Sequence, residues 1–392
     1  MLYGPLDPNE RFRTRRSDSR RRRRRRRAIV LALALVGVLA LGAGMQLATG
    51  EANRAASVKP AAAAASSAKL VAATPRPLPI EVRGVHVTGA LASLPGKLAE
   101  YVGYTKHGLN TIELDIKDEG GEIAFVPSAV PLARGSGAAR AYYRPREAAR
   151  LAHRHGVYLI GRVVCFQDPY LAAARPDLAI KRPDGSTWRT SDGLAWVNPY
   201  DRRVWDYVVS VAEVAAKAGF DEIMLDYVRF PSDGDVDAAV YPGRTTDPRG
   251  RVIEDFVAYS QRRLQPLGVR VSSALFGLSA TRDMRIGQVP RWISRHVDTV
   301  SPMAYPSLYS NGELGIPDPY AAPGETVFRT LADFRGQLKG SRAHLIPWVQ
   351  NFSGYGADEV RAQIAAARLQ GAKGFLLWNP EGRYSVEALA PA

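Results

Sequence analysis

The chain has 392 residues, 46% of them hydrophobic and 23% charged, the make-up of a globular protein with a good core. Its formal charge of +15 is concentrated: residues 1–27 hold twelve arginines and three acids, a net +9 that leaves +6 for the rest, so the high charge belongs to the tail. The single cysteine, Cys165, excludes an intramolecular disulfide, and its place in the apolar run LIGRVVCF reads as a buried inert thiol rather than a nucleophile.

Arg20 to Arg27 are eight consecutive arginines, and residues 28–48, AIVLALALVGVLALGAGMQLA, carry no charge. At about 1.5 Å per residue this run is about as long as a bilayer core is thick. The expected order is an arginine-rich cytoplasmic tail over 1–27, a transmembrane signal-anchor over 28–49 and an Ala/Pro-rich linker over 50–80. The main domain then occupies 81–392, outside the membrane by the positive-inside rule. The rival is a cleaved secretory signal, with small residues near Ala43 to Ala48 as its cleavage site. The apolar region of such signals is usually shorter than this one. Beside a membrane span, the arginines suit topology and anionic lipid better than nucleic acid, and no nucleic-acid partner is expected.

From residue 82 short β-branched runs alternate with helical patterns. Strands are expected at 82–88, 110–116, 157–166, 222–228, 269–276, 297–304, 344–350 and 373–379. Between them, Leu94, Leu98, Tyr101, Val102 and Thr105 follow a helical spacing. So do Val204, Val208, Val211, Ala212 and Ala215, then Ile253, Phe256, Val257, Ser260 and Leu264, then Val360, Ile364 and Ala367. Gly108, Gly156, Gly219, Gly268 and Gly371 end helices just before the next strand. Eight such units over about 300 residues predict an α/β protein, a (β/α)8 TIM barrel. The first strand runs into VHVTGALASLPG, without the G-x-G-x-x-G that a doubly wound nucleotide-binding sheet would want.

Barrel strands alternate between facing the helices and facing the axis. In the second, Ile112, Leu114 and Ile116 are expected outside, and Thr111, Glu113, Asp115 and Lys117 inside. Glu113 also fits an internal salt-bridge ladder, whereas Asp115 lies higher, where barrel active sites sit. The fourth strand, within FDEIMLDYVRFP, ends on Asp226, with Tyr227 and Arg229 beside it. His86 comes from the first strand, Met303 and Tyr305 from the sixth, Trp348 and Gln350 from the seventh, and Trp378, Asn379 and Glu381 from the eighth. Long loops over 167–200 and 305–323 add further rings. Aromatic faces suit sugar rings, and paired carboxylates serve as acid and nucleophile in glycoside cleavage.

Other motifs fall short. Asp233, Asp235 and Asp237 have calcium-loop spacing, but Ala238 and Arg244 stand where that loop needs glycine and glutamate. His153 and His155 lack the spacing of a zinc helix, and there is no G-x-S-x-G or P-loop. Neither a metal nor another cofactor is expected.

The block WVNPYDRRVWDYVVSVAEVAAKAGFDEIMLDYVRFPSDG, residues 196–234, resembles the signature of a bacterial glycoside hydrolase family long classed as a domain of unknown function. RGVHVTG, LNTIELDIKDEGG, GRVVCFQDP, VSPMAYPSLY and GFLLWNP are similar to its strand-end motifs, over roughly residues 82–384. The resemblance implies an amylase-like TIM barrel acting on carbohydrate outside the cytoplasm. It maps the nucleophilic aspartate at the end of strand four onto Asp226. The acid glutamate of amylase-type strand five has no counterpart, because that strand ends SSALFG.

The resulting expectation is a membrane-anchored extracytoplasmic glycosidase. Asp226 acts as nucleophile or base and Asp115 or Glu381 as general acid, while Arg229 and Lys117 keep Asp226 ionised. His86, Tyr305, Trp348, Gln350, Trp378 and Asn379 line the site for a polysaccharide or oligosaccharide. The alternative is a barrel that binds envelope polysaccharide without cutting it. A deacetylase-like hydrolase is a third reading and needs a metal site.

Overall fold

A computed structural model describes residues 74–390. Its strands are β1 (Val82–Val87), β2 (Thr111–Lys117), β3 (Tyr158–Val164), β4 (Glu222–Asp226), β5 (Arg270–Phe276), β6 (Thr299–Ala304), β7 (His344–Leu345), β8 (Trp348–Gln350) and β9 (Gly374–Trp378). All pairings between them are parallel. The order β5-β4-β3-β2-β1-β9-β8-β6 is closed by β5 pairing with β6. β6 pairs first with β7 and then with β8, so these two short strands form one stave. Pro347, which has no N–H to give a ladder, lies in the gap between them. The fold is a closed eight-stave parallel barrel of the TIM type, and each expected strand has its place in it.

Amphipathic helices cover the outside. The helix Arg202–Ala218 starts where the Asp201 carboxylate accepts the Arg203 N–H (2.9 Å). It buries Val204, Trp205, Val208, Val211, Ala212 and Ala215, and stops at Gly219, whose φ of 106° suits glycine. The helices Arg249–Leu264, Pro323–Gln337 and Ala357–Leu369 likewise bury one apolar face, with other caps. The first expected helix is different. Residues Gly89–Ala92 and Lys97–Val102 form two short helices, separated by Ser93, Leu94, Pro95 and Gly96. The missing N–H of Pro95 and the left-handed Gly96 break the continuous turn that the apolar spacing suggested.

Strand alternation sorts the core into two clusters. Ile112, Leu114, Val163, Ile223, Leu225 and Val300 pack outward against helices. Val82, Tyr158, Ile160, Met224, Ala274, Trp348, Leu376 and Trp378 fill the axis. Gly84 belongs to the inner file, where a Cβ would lie 2.4 Å from Leu376 Cδ2, so its bareness lets that leucine fill the interior.

Residues 74–80, the end of the expected linker, form neither helix nor strand. Leu78 packs against the axial cluster, and Arg76 Nη1 donates to the Val157 carbonyl (3.1 Å). The expected cytoplasmic tail, signal-anchor and linker up to residue 73 lie outside the described residues. Among the described residues no helix is long and apolar enough to cross a membrane.

Candidate active site

The axial files of β1 to β4 become charged toward their C-terminal ends. β1 contributes His86, β2 Glu113 and Asp115, β3 Arg162 and β4 Asp226. None of the five is more than 5% exposed. Charged groups buried this deeply need partners, and here they partner one another.

Arg162 is the hub. Its Nε and Nη2 donate to Asp226 Oδ2 (2.8 and 2.7 Å), and its Nη1 donates to Asp115 Oδ1 (2.7 Å). The same Nη1 stands 3.4 Å from Glu119 Oε2, on the loop after β2. Two aspartates held by one planar fork have their nearest oxygens within about 8 Å, two hydrogen bonds plus the width of a guanidinium. That is the range in which a glycosidase carboxyl pair operates. Burial opposes the charge on Arg162, but Asp226, Asp115, Glu119 and Glu113 together hold the guanidinium well above its usual range.

The second contact of Asp115 is His86, whose Nε2 lies 3.7 Å from Asp115 Oδ2. His86 Nδ1 is hydrogen-bonded to Glu113 Oε2. The imidazole stacks on Trp378 (centroids 4.1 Å apart, planes at 29°) and meets Trp348 edge-on at 6.1 Å. From behind, Tyr384 Oη donates to the His86 carbonyl (2.5 Å) and Tyr143 Oη to the Asp115 carbonyl (2.8 Å). Burial pushes the Asp115 carboxyl up to about 7, against the pull of His86 and Arg162. Burial also drives Glu113 well above the carboxylate range.

Asp226 is the last residue of β4, and the chain bends sharply after it. Tyr227 has φ +48°, a left-handed conformation that costs a non-glycine residue about 1–3 kcal/mol. Its N–H donates to Asp226 Oδ1 (2.7 Å). The carboxylate thus accepts from Arg162 on one oxygen and from the backbone on the other.

The inner mouth therefore gathers Asp115, Asp226, His86, Tyr305, Trp348 and Trp378 from the expected set. Tyr305 is buried nearby, and burial together with the Asp226 charge raises its phenol well above the usual range. Other expected residues go elsewhere. Lys117 leaves the axis because β2 is irregular between Asp115 and Lys117: Asp115 pairs with Arg162, and Lys117 with the outward-facing Val163. Its ammonium donates to the Val164 carbonyl (2.7 Å) and pairs with Asp168 (3.1 Å). Arg229 lies among the rings of Trp196, Tyr227 and Phe276 (4.9, 5.0 and 4.6 Å) and donates to the Phe230 carbonyl. The cation on Asp226 is Arg162, in place of the expected Arg229 and Lys117.

Gln350 spends its side chain on the Ser307 N–H (3.0 Å) and the Phe352 carbonyl (3.1 Å), which ties two loops together. Asn379 caps the turn after β9, donating to the Asn351 carbonyl and accepting from the Glu381 N–H (2.8 Å). Glu381 is half exposed beside Arg383 (3.7 Å), outside the Asp115–Asp226 cluster. The turn held by Asn379 carries it to the surface. Trp188 and Trp196 of the long loop after β3 are buried in the outer core, and Cys165 is fully buried, its thiol pushed up by that burial.

Arg162 and Glu119 were missed. The signal for Arg162 was its place two and four residues after Ile160 and Tyr158, on the inner face of β3. Glu119 had none, since only the loop's path brings it to the guanidinium.

His86, Glu113 and Asp115 also place one nitrogen and two carboxylate oxygens within 4.8 Å of one another, a spacing a divalent cation can use. Such an ion would have to displace the His86–Glu113 hydrogen bond and sit beside the Arg162 charge. The trio fits a proton-handling chain better than a metal centre.

Residues 84–384 match the model of a family described as "Putative glycosyl hydrolase domain". The chain belongs to that family. A glycosyl hydrolase domain thus spans nearly the whole barrel, and the chain is a glycosidase by family. Among solved structures, the glycoside hydrolase domain of PgaB (BpsB) from Bordetella bronchiseptica is similar at 16% identity. The match covers 80% of this chain and 99% of that one with a TM-score of 0.58, a likeness of fold. A hypothetical protein from Ruminiclostridium thermocellum is 32% identical over 48% of this chain and 96% of its own, with a TM-score of 0.44. The catalytic domain of a beta-amylase from Paenibacillus polymyxa matches at 13% identity over 80% and 96%, with a TM-score of 0.49. Among curated proteins none matches the chain.

Proposed function

We propose that this glycosidase cuts an extracellular or cell-envelope polysaccharide with Asp115 and Asp226 as its working carboxyl pair. The observation that carries the reading is the single Arg162 guanidinium bridging the two (2.7 Å to each) at the C-terminal end of the barrel. Asp115, whose carboxyl is pushed up to about 7, is suited to carry the proton that the leaving oxygen needs. Asp226, which accepts hydrogen bonds on both oxygens, is the nucleophile or the base that activates water. His86, backed by Glu113, holds Asp115 in place and links it to a second proton-bearing carboxyl. Trp348 and Trp378 supply the apolar wall for the sugar.

Display outside the membrane belongs to the same reading. It rests on the eight arginines and the uncharged run that follows them. A reporter fused after residue 60 that is active only outside the cytoplasm checks it.

The test of function is release of reducing sugar from a panel of cell-wall and exopolysaccharides. Wild type releases sugar from at least one polymer. Asp226→Asn lowers that rate by about 10⁴-fold while keeping glycan affinity. A wild type inert on the whole panel, yet binding glycan as tightly as the variant, establishes the non-cutting barrel instead.

A further inference from the structure

Beside the charged cluster, the barrel mouth has an apolar pocket that the catalytic reading does not use. It holds about 340 Å³ and is lined by Phe276, Leu278, Met284, Met303, Leu308 and Tyr309, none of them charged. Part of that space is open to solvent, so the hollow suits a small group rather than a whole sugar ring. Its position follows from the register. Phe276 ends the inner file of β5, Met303 is its neighbour on β6, and Met303 pairs in turn with Trp348. Met303 and Leu308 also pack against the axial cluster that contains Tyr305, Trp348 and Trp378. Met303 and Leu308 thus belong to both the pocket lining and the axial packing that holds Tyr305, Trp348 and Trp378.

Two of its walls are anchored. A Cβ on Gly277 would lie 2.0 Å from Tyr309 Oη, so the bare glycine admits that ring, which Thr330 anchors by a 2.8 Å hydrogen bond. The Phe276 N–H is held by Gln288 (2.9 Å) on the far side of the loop that carries Leu278 and Met284. The two thioethers give the lining some freedom to adapt its shape. A glycan is mostly hydroxyl, and hydroxyls gain nothing from such a lining.

We infer that this pocket is a substrate subsite for a short apolar substituent on a sugar ring, an acyl group or a 6-deoxy methyl, next to the bond to be cut. The inference rests on the glycosidase reading above and narrows its substrate class. Such a substituent is the part of a saccharide whose burial here is favourable. At the end of β5, Phe276 and the pocket occupy ground where a carboxyl would repel it.

The chain has five methionines, and two of them line the pocket. Full-length protein labelled with ¹³C at the methionine methyls is titrated with methyl glycosides of N-acetylglucosamine, N-butanoylglucosamine, glucosamine, rhamnose and glucose. The acyl or the deoxy probes move the Met284 and Met303 signals saturably, and which of them does so identifies the source of the apolar group. Met224, fully buried in the barrel interior, stays fixed. Leu308→Glu, at the partly open rim, weakens that response by about tenfold, and an unmoved Met224 signal reports that the barrel is intact. The inference is overturned if no probe moves either methyl, if glucosamine and glucose move them equally, or if Leu308→Glu responds like wild type. Hydrolysis with silent pocket methyls removes the subsite alone. Responding methyls in a protein inert on the polysaccharide panel remove the catalytic reading alone.

Discussion

The two sides of the barrel mouth are built from opposite chemistries. On the side of β1 to β4, His86, Glu113, Asp115, Arg162 and Asp226 form one buried charged network around a guanidinium. On the side of β5 to β9, Phe276, Met303, Tyr305, Trp348 and Trp378 present rings, a thioether and a pocket. The contrast separates two tasks. A charged network can be buried only if each member is paired, which fixes its geometry to fractions of an ångström and suits it to bond cleavage. An apolar wall tolerates variation in shape and suits it to holding a sugar. His86 joins the sides, since its ring stacks on Trp378 while its nitrogens face Glu113 and Asp115.

Mutations on the charged side give the largest expected effects. With Asp115 as the proposed proton donor, Asp115→Asn is expected to lower turnover by about 10²–10⁴-fold. In wild type, activity falls as pH rises through about 7, because Asp115 then loses its proton. A pH–rate profile of the variant that lacks this alkaline limb confirms the assignment, and an unchanged limb refutes it.

Arg162→Met leaves Asp115, Glu119 and Asp226 without their shared cation and costs about 3–5 kcal/mol of stability. The deficit shrinks at low pH, where the Asp115 carboxyl, pushed up by burial, takes up a proton. Urea unfolding at pH 5 and pH 8 measures both terms. Arg162→Lys does not restore wild type, since an ammonium cannot serve both aspartates in the plane of a fork.

Lower in the same barrel, Glu222 is fully buried against Tyr158 Oη (3.0 Å), and burial raises its carboxyl from 4.5 to about 7. The folded state therefore holds the proton more tightly than the unfolded one. Its contribution to stability is complete below about pH 4.5 and is lost as pH rises through about 7. Glu222→Gln keeps an acceptor for the tyrosine and is more stable than wild type at pH 8, by on the order of 1–3 kcal/mol, with little difference at pH 4. Thermal unfolding across that window shows it.

The smallest effect is expected on the apolar side. Tyr320, 40% exposed, stacks on Tyr355 (4.9 Å, 24°) on the loops after β6 and β8. Tyr320→Ala weakens polymer binding by about three- to tenfold and leaves short substrates unaffected. Isothermal titration with polymer and with a disaccharide compares the two.

Much of this protein is legible in its sequence. Periods of two and 3.6, with glycines at helix ends, are local properties of a chain, and they were enough for eight staves in order and for Asp115 and Asp226 at their ends. Locality also explains the errors. Lys117 alternates correctly with Asp115 on paper, but one irregular step in the β2–β3 register turns it to Asp168. Glu381 follows the last strand as an active-site acid would, yet a turn capped by Asn379 carries it to the surface.

By itself, then, the sequence determined the architecture and which strands end in charge, because those depend on neighbours within a few residues. Only the tertiary structure decided who pairs with whom. Arg162 reaches Asp115 and Asp226 across sequence separations of 47 and 64 residues, because parallel pairing sets β3 between β2 and β4. A charge is buried there at tolerable cost only where all three strand ends converge.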